Sequence, residues 1–189
     1  SPSLILMCAS LRRRVCMHLQ PQLRCPCVLM VTCTPARIHA RTQVHHGNGD
    51  SDISWCDPTR LYASSHEEKI WPGTGAEWGC DGLHGQILSA PLPPKCGSEQ
   101  FRAAWRDLLL PAVRDFEPEA IFLSAGFDAH ADDPLASLEL TEDDFAWITA
   151  EVVALSAGKI PIISVLEGGY NVDALERCAH AHVHALIHS

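Results

Sequence analysis

The chain has 189 residues, of which 47% are hydrophobic, and a formal net charge of −9. This length and apolar content suit one globular domain or part of one, and they exclude an intrinsically disordered chain. No apolar run reaches the roughly 18 residues of a membrane-spanning helix, and the acidic balance argues against nucleic-acid binding as the main function.

The overall composition conceals a change near residue 43. Residues 1–42 contain six arginines and no lysine, aspartate or glutamate, whereas the remainder carries 8 basic and 23 acidic residues. Five of the nine cysteines also fall in the first 33 residues: Cys8, Cys16, Cys25, Cys27 and Cys33. We therefore predict that 1–43 is an atypical basic, cysteine-rich segment that is not native to the fold, and that a domain occupies 44–189.

Three interpretations of this first segment compete. Its arginine-rich, acid-free composition is typical of an organelle transit peptide. Cys25 and Cys27 could bind a metal with Cys33, Cys16 and His18, but no CxxC pair supports this. The favoured interpretation is a stretch foreign to the domain, from a misjoined exon or a wrong reading frame. The later cysteines are scattered and are interpreted as reduced structural thiols.

From residue 44 onward, strand and helix patterns alternate. Strands are predicted at 61–64, 86–90, 120–123 and 160–166, and helices at 99–114, 141–156 and 173–188. Thr141 with Asp144 forms a capping box that starts the second helix. The continuous apolar runs at 120–123 and 160–166 are typical of strands buried on both faces. The alternation predicts an α/β fold with a parallel sheet flanked by helices.

In such sheets, ligands bind beyond the carboxyl ends of the strands. The loops after the last two predicted strands carry Asp128 and Tyr170, and His45 lies at the composition break. Asp128 and His45 are candidate ligands of a catalytic divalent ion, and Tyr170 could donate a hydrogen bond to a developing oxyanion. The alternatives are ordinary hydrogen-bonded loop residues and a packing aromatic.

Three histidines of the last predicted helix, at i, i+4 spacing, could also chelate a metal: His180, His184 and His188. With no acidic third ligand nearby, they are interpreted as a solvated helix face.

Five motifs resemble the histone deacetylase family, which includes bacterial deacetylase-like and acetylpolyamine amidohydrolase enzymes. They are VHHGNG (44–49), WPGTG (71–75), LSAPLP (88–93), SAGFDAHADDPLA (124–136) and SVLEGGYN (164–171). The HGNG and LEGGYN forms are more similar to class II and bacterial members than to class I. The resemblance implies the arginase/deacetylase fold and makes 44–189 a partial histone deacetylase domain whose amino-terminal strands are missing.

The resemblance also implies an activity and its residues. The family uses Zn²⁺ to hydrolyse an acetamide, usually N-acetyl-lysine on a histone or another protein, which would connect the chain with chromatin regulation. His45 and Asp128 match metal ligands, and Tyr170 matches the tyrosine that polarises the acetyl carbonyl.

Other positions match the family's substrate tunnel and its second cation. Trp71 and Leu135 match the walls of the acetyl-lysine tunnel, while Gly168 and Gly169 let its floor approach closely. Ser64 matches a side chain near a structural monovalent cation, usually K⁺.

The chain departs from the family before VHHGNG. The family's Asp-x-Asp, whose second aspartate is the third zinc ligand, reads here Arg41-Thr42-Gln43. The neutral amide of Gln43 is a poor substitute for a carboxylate. The family's general base belongs to a His-His pair further upstream, and residues 1–40 contain no such pair.

We therefore expect an incomplete and impaired deacetylase. The alternatives are a catalytically dead binding or regulatory fragment and a small-molecule acetylpolyamine amidohydrolase.

The expected partners are an acetylated protein or a small acetamide, with an oligomer or a corepressor complex also open, and neither nucleic acid nor membrane. The resemblance points to the cytoplasm or nucleus, with organelle targeting by 1–42 as the alternative.

Overall fold

The computed structural model describes residues 36–189, whose centre is one six-stranded sheet. The strands are β1 (Arg37–Arg41), β2 (Arg60–Glu67), β3 (Gly79–Asp81), β4 (Ile87–Leu92), β5 (Ala120–Ala125) and β6 (Ile162–Leu166). The helices are α1 (Asn48–Ser54), α2 (Ser98–Ala104), α3 (Leu110–Phe116), α4 (Glu142–Ser156) and α5 (Val172–His188). The transit-peptide and cysteine-metal interpretations of the first segment concern residues that lie outside this described part.

The sheet has the order β3-β4-β2-β1-β5-β6. Every neighbouring pair is parallel except β3 with β4. The carboxyl ends of the parallel strands therefore share one edge, where the loops after β1, β5 and β6 meet. The predicted α/β fold with a parallel sheet and flanking helices is confirmed.

The central strand β1 was not anticipated from the sequence. It lies between β2 and β5, with Ile38 and Ala40 buried. It also lies before the predicted boundary at residues 43 and 44, so part of the atypical segment contributes to the sheet. The boundary itself stays a prediction.

The helix predicted at 99–114 extends from α2 through a π-helical turn, Trp105–Leu109, into α3. The Trp105 side chain is fully buried, and its Nε1 donates a hydrogen bond to Ser65 Oγ at 2.9 Å. This contact ties the helix to strand β2. Around it, the core combines apolar side chains of the sheet with those of the helices, including Phe101, Phe145 and Ile148.

The predicted capping box at the start of α4 is confirmed by contacts between Thr141 and Asp144. The fully buried Asp144 carboxylate also accepts hydrogen bonds from Ser98 Oγ and Arg102 Nε of α2, both at 2.7 Å. A single carboxylate therefore caps one helix and joins it to another.

Helix α5 packs on α4 and on the sheet through a buried histidine. The two ring nitrogens of His182 lie 2.7 Å from Thr149 Oγ1 of α4 and 2.8 Å from Ser164 Oγ of β6. Burial lowers the pKa of His182. A neutral imidazole, donating through one nitrogen and accepting through the other, fits between the two hydroxyls.

The prediction that the last two strands are buried on both faces was wrong. Along β5, buried residues alternate with partly exposed ones. In β6, Ile163, Val165 and Leu166 are 48%, 51% and 59% exposed. The physical reason is position: β6 is an edge strand that pairs only with β5 among the described residues, and apolar composition cannot reveal which neighbours cover a strand.

Within residues 36–189, no helix has the length and apolar content needed to cross a membrane.

Candidate active site

Two loops at the carboxyl edge of the sheet bring His45 and Asp128 together. The backbone N–H of Val44, after β1, donates a hydrogen bond to Asp128 Oδ1 at 3.2 Å. His45 Nδ1 lies 3.1 Å from the other carboxylate oxygen, Oδ2. Strands β1 and β5 are direct neighbours in the sheet, so Val44 and His45 contact Asp128 although they lie 84 and 83 positions before it.

The Asp128 carboxylate is held in a nearly closed environment, with 1% of the residue exposed. Burial raises the pKa of Asp128, and the Val44 amide and His45 oppose this effect. A buried carboxylate with a nearby imidazole is the kind of donor pair found at metal and acid-base sites.

The loop after β6 completes the same region through its glycines. A Cβ atom on Gly168 would lie 2.3 Å from Asp128 Oδ2, closer than any real contact. The backbone carbonyl of Gly168 accepts a hydrogen bond from Phe127 N at 2.8 Å. The backbone here therefore lies directly against Asp128, as a residue without a side chain allows.

Tyr170 follows two residues after Gly168. Its backbone N–H donates to Asp133 Oδ2 at 2.7 Å, and 55% of the residue is exposed. The Asp133 carboxylate is itself buried and also accepts from Leu135 N at 3.0 Å. Asp133 therefore fixes the backbone of two predicted site residues, Tyr170 and Leu135. The part that their side chains play stays a prediction.

The positions of His45 and Asp128 suit two ligands of one zinc ion. With ligand bonds of about 2.0–2.1 Å, neighbouring donor atoms on a tetrahedral ion lie about 3.3 Å apart. The observed separation of 3.1 Å is close to that value.

Gln43, at the position predicted for a third ligand, has other partners. The Gln43 side-chain amide donates a hydrogen bond to Glu167 Oε2. The same oxygen lies 2.9 Å from Arg41 Nη2, and Arg41 Nη1 pairs with Asp50. Ser124 Oγ donates to the other oxygen of Glu167 at 2.9 Å.

The position expected to hold the third ligand therefore belongs here to a partly exposed polar cluster: Arg41, Gln43, Asp50, Ser124 and Glu167. Among residues 36–189, no group of three or more histidine, cysteine or carboxylate side chains is arranged to hold a metal. The donor set fits two ligands of the family's metal and does not fit the third.

The predicted monovalent-cation residue, Ser64, is fully buried on β2. Its hydroxyl lies 3.0 Å from His66 Nδ1, and His66 Nε2 lies 2.8 Å from the Gly75 carbonyl. Burial lowers the pKa of His66 to about 4, so the ring is neutral and donates to Gly75 while accepting from Ser64. Ser64 thus has a partner within the protein.

Trp71 is 79% exposed and Leu135 is 62% exposed, so both side chains lie on the surface of the described chain. Trp71 begins the WPGTG loop, which is anchored where His46 Nδ1 lies 2.8 Å from Thr74 Oγ1. The assignment of Trp71 and Leu135 to tunnel walls stays a prediction.

Sequence reasoning missed Glu167 and Asp133. Both stand inside motifs that were recognised, EGGYN and DAHADDP, but their partners lie at distant sequence positions. Only the folded chain shows that one carboxylate links Arg41 to Gln43 and that the other fixes two loops.

At the carboxyl edge of its parallel sheet, the chain places an imidazole, a buried carboxylate and a glycine-tyrosine loop, and these stand in motifs that resemble the deacetylase class. A family model, the histone deacetylase domain, matches residues 42–186. The chain belongs to the histone deacetylase family.

Two relatives named as histone deacetylases support this family assignment. The chain is 42% identical over 158 residues to Type-2 histone deacetylase 2 of Dictyostelium discoideum, covering 76% of this chain and 9% of that protein. It is 38% identical over 138 residues to Histone deacetylase 10, chloroplastic, of Oryza sativa subsp. japonica, covering 70% and 31%. The chain therefore spans less than one third of either relative.

Solved structures show the same fold. The HDA15 HD domain matches with a TM-score of 0.72 at 32% identity, over 81% of this chain and 45% of that one. The acetylpolyamine aminohydrolase from Burkholderia pseudomallei matches with a TM-score of 0.71 at 30% identity, over 80% and 45%. The arginase/deacetylase fold expected from the sequence is confirmed.

Proposed function

We propose that this chain carries the carboxyl-terminal part of a zinc-dependent deacetylase site, and that the site is impaired in this chain. The observation that carries the proposal is the 3.1 Å approach of His45 to the buried Asp128 carboxylate, with the Gly168 backbone against it. Family membership supports an amide hydrolase acting on acetylated substrates.

In the proposed site, His45 and Asp128 are the two metal ligands that the chain supplies. Held by these residues, a zinc ion would supply Lewis-acid chemistry at the acetyl carbonyl. Tyr170 would donate its hydroxyl proton in a hydrogen bond to the carbonyl oxygen of the acetamide, where negative charge develops. Trp71 and Leu135 would flank the acyl chain, and Gly168 and Gly169 would form the floor.

The impairment follows from the third ligand position. Gln43 offers a neutral amide, and its NH₂ group is engaged by Glu167. A missing charged ligand would weaken metal binding.

The test restores the carboxylate with a matched control. In Gln43→Asp, zinc affinity measured by competition with a chromophoric chelator should rise at least about tenfold, the lower end of the effects seen even for outer-shell partners. Asparagine has the size of aspartate but no charge, so the Gln43→Asn variant should bind zinc with the same affinity as the unmodified chain. The proposal fails if the aspartate variant binds zinc no more tightly than the asparagine variant.

A second candidate function, a catalytically inert binding module, is favoured by the Arg41 contacts. The arginine pairs with Asp50 and Glu167, and it stands where the family has an anion. Such a module would bind an acetylated ligand without cleaving it. Stoichiometric zinc with turnover of a fluorogenic acetyl-lysine peptide by the unmodified chain would eliminate this candidate.

The substrate class remains a choice between acetyl-lysine in a protein and a small acetamide. The likeness to an acetylpolyamine aminohydrolase supports testing both. Parallel binding measurements with acetylspermidine and an acetyl-lysine peptide with a blocked amino terminus and no other lysine distinguish them, because acetylspermidine retains protonated amines that can pair with acidic groups and this peptide does not.

A further inference from the structure

Helix α5 carries a row of exposed histidines that the candidate active site does not use. His180, His184 and His188 follow one another at intervals of four residues on its exposed side. The ring centroids of His180 and His184 are 6.2 Å apart, and those of His184 and His188 are 4.5 Å apart. His184 lies about 18 Å along the helix axis from Val172, where the helix begins near the site.

The helix beneath these rings is firmly anchored. On its opposite side, Ala174, Cys178, His182 and Ala185 are buried. His182 bridges Thr149 of α4 and Ser164 of β6. A side-chain pair on an anchored helix keeps a defined spacing, which loops do not provide.

Two histidines four residues apart on one helix face can bind the same metal ion. Neutral imidazole is a ligand suited to Cu²⁺, Ni²⁺ and Zn²⁺. We propose that His184 and His188 form a two-ligand surface site for such an ion, with His180 as an alternative neighbour of His184. This site is independent of the proposed deacetylase function.

The surrounding charges favour a cation here. Residues 178–189 contain no lysine or arginine, and the exposed Glu176 lies one turn before His180. The one arginine of α5, Arg177, is engaged elsewhere, with its Nη2 2.7 Å from Asp132 Oδ2. An approaching divalent ion therefore meets two imidazoles without a competing fixed cation on the same stretch of helix.

The proposed site supplies two protein ligands and does not surround the ion. In the described part of the chain, histidine, cysteine and carboxylate side chains do not assemble into any metal-holding group of three or more. Water would occupy the remaining positions of the ion. Such an exposed pair binds through chelation, because the second imidazole is held close to an ion already bound by the first.

The experiment titrates the tag-free chain with Cu²⁺ by calorimetry and compares three single variants. His184→Ala removes the histidine shared by both neighbouring pairs and should weaken Cu²⁺ binding at this site by at least about tenfold. His180→Ala leaves the closer pair intact and should retain the affinity. His84→Ala removes an exposed histidine outside the row and is the matched control.

Histidine ring signals in NMR spectra give a local readout. The first equivalent of paramagnetic Cu²⁺ should broaden the signals of His184 and His188 before that of His84. Alanine is a favourable residue at an exposed helix position, so the two α5 variants should fold, and circular dichroism checks all three. Equal Cu²⁺ affinity in His184→Ala and the unmodified chain, or an equal loss in His84→Ala, would overturn the proposal.

Discussion

The Gly168→Ala substitution tests the geometry of the candidate site most directly. The added Cβ would lie 2.3 Å from Asp128 Oδ2 and 2.6 Å from its Cγ. Carbon and oxygen atoms at these distances overlap by roughly 1 Å, so either the carboxylate or the glycine backbone must move. Asp128 has little space for movement because the residue is 1% exposed.

The cost can be estimated from two physical effects. Overfilling a well-packed region costs about 1–3 kcal/mol. Displacement of the carboxylate also weakens its contacts with Val44 N and His45 Nδ1, and a hydrogen bond to a charged group contributes about 1.5–3 kcal/mol. We expect Gly168→Ala to lower the free energy of unfolding by about 2–4 kcal/mol.

Urea unfolding followed by tryptophan fluorescence measures this change, with Gly49→Ala as the control. Gly49 lies in helix α1, and a Cβ placed there meets no atom within 4 Å. Alanine there should raise stability by about 0.5–1 kcal/mol, as expected for an exposed helical glycine. If Gly168→Ala unfolds at the same urea concentration as Gly49→Ala, the loop after β6 does not lie against Asp128 and the reasoning is refuted.

Two further predictions concern the supports of the site. Asp144→Ala removes a buried carboxylate with partners on two helices, and it should lower the unfolding free energy by about 3 kcal/mol. Asp143→Ala, at the exposed neighbouring position, should change the unfolding free energy by less than about 0.5 kcal/mol. Equal urea midpoints for the two variants would contradict the assigned contacts. Burial lowers the pKa of His182 in the folded chain, so the unfolded chain binds a proton at this histidine more readily. The stabilisation by neutral His182 is therefore complete above about pH 6.5 and decreases as the pH falls below that value. His182→Gln should flatten the decline in urea midpoint between pH 7 and 5, and an unchanged slope would show that His182 is not the group responsible.

The sequence was most informative where local chemistry decides the structure. Thr141 and Asp144 predicted a helix start that depends on residues three positions apart, and the structure contains it. A short-range pattern such as this is set by hydrogen bonding between neighbouring residues, which a sequence displays directly.

Structure that depends on distant partners could not be predicted in this way. Strand β1 has only two buried apolar residues, Ile38 and Ala40, between charged or polar ones, and its place in the sheet depends on β2 and β5 on either side. The role of Glu167 depends on Arg41 and Gln43, which lie 126 and 124 residues earlier. The exposure of β6 was missed for the same reason, since composition shows that a strand is apolar but not whether another element covers it.

The two edges of the sheet differ in how readily they can pair with a further strand. On one side the three-residue β3 runs opposite to its neighbour and closes the parallel arrangement. On the other side β6 keeps the common strand direction and, among the described residues, has unpaired peptide groups facing outward. A bare parallel edge is a template for another strand, so the β6 side can accept a further parallel strand, whereas β3 offers only three residues for pairing.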